Sequence, residues 1–121
     1  MGKFHTKLVV EPAEDTEHGR SLWTLAAPLV YKSDSQLDAI TVPEGFITDF
    51  ASVPRIPLVY LIMNDVGQEA AVIHDYLYRF KPLPRNEADA ILCEALTDLG
   101  VSKWRRTAMW LAVRAFGWSA Y

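Results

Sequence analysis

Hydrophobic and polar positions change their spacing once along the 121-residue chain, from strand-like to helical. Phe4-His5-Thr6-Lys7-Leu8-Val9-Val10 begins with alternation and ends in a β-branched run, which predicts a strand. Residues 11–20 are polar and acidic and include Gly19, so they predict a loop at a hairpin tip. The return strand is expected from about Ser21 to Tyr31, with Pro28 arguing for an edge position or a bulge. Lys32-Ser33-Asp34-Ser35-Gln36 turns the chain again. Asp38-Ala39-Ile40-Thr41-Val42 then makes a short third strand, stopped by Pro43-Glu44-Gly45. A meander is the simplest order for three such strands.

The second half has helical spacing. Ser52 can cap a nearly all-apolar helix running to about Met63, with Pro54 in the first turn, where its missing N–H costs nothing. Ala70, Ile73, Leu77 and Phe80 recur at helical intervals and predict a buried helix. Pro82 and Pro84 break it, and a second helix starts near Asn86 and is closed by Gly100. Ser102 caps a last helix that runs to about Phe116. The expected class is therefore α+β: a small N-terminal antiparallel sheet of about three strands packed against a C-terminal four-helix region. Residues 1–121 are expected to form one domain, with the meander in 1–45 and the helical region in 46–121.

Composition narrows the function classes. Half of the residues are hydrophobic, enough for one real core. A net charge of −3 gives no reason to expect nucleic-acid binding. Cys93 is the single cysteine, so an internal disulfide is excluded. The N-terminal residues lack the apolar core of a signal peptide, and no apolar run is long enough to span a bilayer.

Candidate chemistry gathers around the break between the second and third expected helices. His74 and Tyr78, four residues apart, share a helical face, with Asp75 one step round the cylinder. Asp89 falls in the first turn after the break. So short a break favours an antiparallel helix pair, which would bring Asp89 level with His74. A carboxylate on one ring nitrogen fixes the histidine tautomer and frees the other nitrogen to take a proton from water. Asp75 points elsewhere, toward a hard cation or a cationic group. The same residues can equally form a buried polar network that ties the helices together, with Arg79 or Arg85 neutralising the acids. Asp49 precedes a helix N-terminus and would supply a further carboxylate if its loop folds back onto His74. His5 and His18 lack ligand spacing, so zinc has little support. On the last helix, Lys103, Thr107, Trp110 and Arg114 fall on one face, so Trp110 sits among cations and is expected to be more exposed than Trp104. Basic residues mixed with tryptophan suit a membrane interface or a partner surface, but the favoured reading is a core-packing helix with a solvated basic stripe.

Two resemblances add to this. Thr48 to Arg55 (T-D-F-A-S-V-P-R), Ala70 to Arg79 (A-A-V-I-H-D-Y-L-Y-R), Arg85 to Asp89 (R-N-E-A-D) and Val113 to Gly117 (V-R-A-F-G) together resemble domain of unknown function 1353. That small family is found largely in bacteriophages and prophages. The resemblance implies a phage-encoded protein of the host cytoplasm or the virion. More locally, H-D-x-x-Y followed by A-D is similar to the active-site helix pair of secreted and parvoviral phospholipases A2. That likeness implies His74 as the water-activating base, Asp89 as its orienting partner, Tyr78 as support and Asp75 as a calcium ligand. The glycine-rich calcium loop of those enzymes has no good counterpart before the helix.

Two functions follow as expectations. One is a hydrolase, assisted by calcium, acting on an ester or amide of host envelope lipid or cell wall. The other is a non-enzymatic virion, tail or assembly protein whose His–Asp network is structural. If the basic, tryptophan-bearing last helix is a contact surface, it would meet a membrane surface or another phage protein. An open pocket at His74 would favour chemistry, and full burial would favour the structural role.

Overall fold

The computed structural model describes residues 2–12, 23–48 and 68–116. Six short strands come first: β1 (Lys3–Phe4), β2 (Val10–Pro12), β3 (Trp23–Leu25), β4 (Leu29–Lys32), β5 (Ile40–Val42) and β6 (Ile47–Thr48). Three helices follow: α1 (Gln68–Phe80), α2 (Arg85–Asp98) and α3 (Lys103–Phe116). The class is α+β, as the sequence predicts. Two details differ. The single expected sheet is two three-stranded antiparallel sheets, ordered β1-β4-β5 and β2-β3-β6. Three helices are described rather than four, and the helix expected from Ser52 to Met63 lies outside the described residues.

The two sheets continue one meander across a bend. Phe4 faces Tyr31 and Val10 faces Leu25, so register is kept between the sheets on both strands of the first hairpin. The third strand behaves alike, with Val42 opposite Leu29 and Thr48 opposite Trp23. What interrupts the ladder is Pro28, which has no N–H to give. The Thr6 side chain fills the gap. Its Oγ1 donates to the Pro28 carbonyl at 3.1 Å and accepts the Val30 N–H at 2.9 Å. Pro28 therefore marks the joint between β3 and β4, each the central strand of its sheet. The expected stop at Pro43-Glu44-Gly45 is likewise a bend. Gly45 has φ 90°, a left-handed conformation open to glycine, and the chain resumes pairing as β6.

Burial alternates along β4, where Leu29 and Tyr31 are buried and Val30 and Lys32 half-buried, as in a sheet covered on one face. Leu29, Tyr31 and Val42 join Ile73 and Leu77 of α1, Ile91, Leu92 and Leu96 of α2, and Val113 of α3 in one core. Polar ties hold sheet to helix. The Tyr31 hydroxyl donates to Asp98 Oδ2 at 2.6 Å, and Glu94 accepts from the Ser33 hydroxyl and, at 3.1 Å, from the Asp34 N–H. The Tyr31 hydroxyl leaves no room beside it. A Cβ on Gly2 would collide with it and come within 2.6 Å of the Lys32 carbonyl oxygen.

The helix ends follow the chemistry expected of them. α1 ends where Lys81 takes φ 51° and its N–H bonds Leu77, just before Pro82. α2 closes on Gly100, at φ 80°, with Gly100 N–H on the Thr97 carbonyl and Val101 N–H on the Leu96 carbonyl. That pair of bonds satisfies carbonyls the helix end would otherwise leave open.

Candidate functional site

α1 and α2 pack together, and the short break between them sets which residues meet. His74 and Tyr78, one turn apart on α1, both reach Asp89 on α2. His74 Nε2 lies 2.8 Å from Asp89 Oδ1, and the Tyr78 hydroxyl donates to the same oxygen at 2.6 Å. The two rings stack obliquely, with centroids 4.2 Å apart. Arg114 of α3 donates from Nη1 to Asp89 Oδ2 at 3.0 Å, and Arg85 Nε stands 3.8 Å from the same oxygen. Arg85 also donates to the Tyr78 hydroxyl at 3.2 Å. Its Nη2 donates to the Val113 and Arg114 carbonyls, each at 2.6 Å, near the C-terminal end of α3. A cation on those late carbonyls suits the negative end of the helix dipole. One carboxylate thus links all three described helices.

The electrostatics follow from that set. Burial pushes the Asp89 carboxyl toward its neutral form. Hydrogen bonds from His74 and Tyr78, with the charges of His74 and the bond from Arg114, outweigh it and hold Asp89 below the usual carboxylate range. An ionised carboxylate only accepts, so the proton between His74 and Asp89 sits on Nε2. Among the described residues nothing bonds Nδ1, the other ring nitrogen. Burial, and then the hydrogen bond to Asp89, raise the Tyr78 hydroxyl well above its ordinary value, with Arg85 opposing. Access is slight: His74 is 3 % exposed and Asp89 0 %.

The remaining expected residues divide. Asp75 is buried but belongs to a different cluster, where Arg79 Nε stands 3.3 Å from its Oδ1. The Arg79 guanidinium also lies over the Phe46 ring, 5.1 Å from its centroid. A carboxylate already paired with arginine is poorly placed to hold a dication. Among the described residues no three histidine, cysteine or acidic side chains converge as metal ligands. Asp49 lies outside the described residues.

The last helix corrects the expectation about its tryptophans. Trp104 is 65 % exposed and Trp110 only 36 %. The core face of α3 is centred on Met109 and Val113, so Trp110, one step round from Met109, borders the core, whereas Trp104 lies further round. Arg114 also leaves the solvated stripe, since its guanidinium turns inward to Asp89. Its role in the site carries no local sequence signal, because it comes from a helix distant in sequence from the His–Asp pair. No described helix is long and apolar enough to cross a membrane.

Fold and site together define an α+β domain whose helices are joined through a buried His–Tyr–Asp–Arg network. The chain belongs to the family described as protein of unknown function (DUF1353), whose model matches residues 23–113. No curated protein and no solved structure matches it.

Proposed function

We propose that this is a non-enzymatic assembly or virion protein in which His74, Tyr78, Asp89, Arg85 and Arg114 lock the helices into a rigid block. The observation that carries this reading is access. A general base must meet water and substrate, and His74 and Asp89 are sealed in the helix interface. A buried carboxylate needs donors, and here each oxygen of Asp89 has one. The phage setting rests on the motif resemblance set out above.

A hydrolase is the second reading, and one observation favours it. Asp89 engages Nε2, while Nδ1 has no partner among the described residues. A base oriented in this way could take a proton from water through Nδ1, with Asp89 stabilising the imidazolium. The substrate would be an ester or amide of the host envelope.

One experiment separates the two. Wild type, His74→Gln and Asp89→Asn are incubated with phosphatidylglycerol vesicles and with peptidoglycan, and their melting temperatures are measured in parallel. The structural reading expects no turnover by any of them and a large drop in melting temperature for both variants. Turnover by wild type that disappears in a still-folded His74→Gln would replace it with the hydrolase.

A further inference from the structure

Away from the His74–Asp89 network, a cavity of about 600 Å³ opens between β5 and the α1–α2 break. That is within the usual range for ligand sites. Its walls bring together Ile40 and Thr41 of β5, Tyr76 of α1, Leu83 of the break, and the carboxylates of Asp38 and Glu87. Among the described residues no lysine, arginine or histidine lines it. The nearby Lys32 ammonium is engaged by the Ser33 and Gln36 carbonyls. The cavity is therefore negative with apolar walls, and it does not suit phosphate or nucleic acid.

The strand along one wall adds a second, independent feature. β5 ends its sheet: it pairs with β4 on one side, and among the described residues no strand pairs with the other. Alternate residues of such a strand turn their N–H and C=O groups outward and match the spacing of another extended chain. Leu37, 98 % exposed, adds an apolar side chain at the rim.

We infer that this cleft takes an extended, basic segment of a partner protein, added as a strand to the free edge of β5 with its lysine or arginine side chains on Asp38 and Glu87. Main-chain bonds to β5 supply affinity, and the acid-lined, apolar wall selects alternate side chains. A small amine would use the carboxylates and leave the strand edge unpaired. The site shares no residue with the His74–Asp89 network, so it holds under either functional reading above.

The test is calorimetric titration of the full chain with an acetylated, amidated peptide alternating lysine and valine. Controls are a glutamate–valine peptide and a lysine–valine peptide N-methylated at alternate amides. Saturable binding of the lysine–valine peptide alone is expected. Asp38→Lys with Glu87→Lys, both at exposed positions that leave the core intact, should weaken it by about tenfold. Equal binding of the N-methylated peptide would mean a bare cation site and would overturn strand addition. Binding that is absent, shared by the glutamate peptide, or indifferent to the double reversal would overturn the proposal altogether.

Discussion

Asp89 Oδ1 lies 2.8 Å from His74 Nε2, across two helices that a short proline-containing break holds side by side. Each residue lowers the cost of burying the other. The carboxylate would be expensive in an apolar interface without donors, and the imidazole would lose its solvation without an acceptor. Tyr78 and Arg114 complete the shell, so that four polar residues from three helices become one cluster with Asp89 at its centre.

Asp89→Asn should therefore destabilise the fold by about 3 kcal/mol, as breaking a buried ion pair does. The amide keeps the shape of the carboxylate but removes the charge that compensates Arg114 and Arg85. Urea unfolding measures this. A change within a few tenths of a kcal/mol would show that Asp89 is not the link between the helices.

Acid should act through the same group. The folded pKa of Asp89 is depressed, so the unfolded chain takes up the proton first as pH falls. The stabilisation is fully present above the ordinary aspartate value of about 4 and is lost as pH falls through the lower folded value. Stability of the wild type should thus decline with falling pH across that window. Asp89→Asn should show a shallower decline there, and an unchanged slope would contradict the assignment.

Alkali should reveal two tyrosines. Burial and the hydrogen bond to Asp89 raise Tyr78, and burial with the hydrogen bond to Asp98 raises Tyr31. A raised folded pKa gives stability that is present below the ordinary tyrosine value of about 10 and is lost as pH rises beyond it. Tyrosinate absorbance should therefore show Tyr31 and Tyr78 ionising only as the chain unfolds. Tyr78→Phe should remove one of these late ionisations and flatten the alkaline loss of stability.

The three described helices were legible because their signals are local. The spacing of Ala70, Ile73 and Leu77, the break at Pro82 and Pro84, and the closure at Gly100 all act within a turn or two, and together they bring His74 and Asp89 into contact. Arg114 was not legible as a partner of Asp89. Its neighbours on the helical wheel suggested a solvated stripe, and only the packing of α3 shows that its guanidinium reaches inward. The order of Trp104 and Trp110 failed for a related reason. A shared charged face does not tell which side of a helix meets the core, and Met109 with Val113 decides that. In the sheet, alternation predicted the strands, but Pro28, expected at an edge or a bulge, sits between two central strands. The bridge across that joint is a tertiary contact, the Thr6 hydroxyl, that no local pattern announces.

That hydroxyl yields the last prediction. Thr6 Oγ1 bridges the joint between the sheets, giving its proton to the Pro28 carbonyl and accepting the Val30 N–H. Thr6→Val keeps the β-branched shape and removes both bonds. Because Thr6 is exposed, water replaces part of what is lost, and the cost should be about 1 kcal/mol rather than the larger penalty of a buried group. The more specific readout is local. In the variant the Val30 amide should exchange hydrogen faster than in wild type, while amides in the helical core, such as those of Ile73 and Leu92, should change only by the global loss of stability. If Val30 stays as protected as before, the ladder between β1 and β4 is held by the backbone bond from His5 N–H to the Val30 carbonyl, and Thr6 is not the joint.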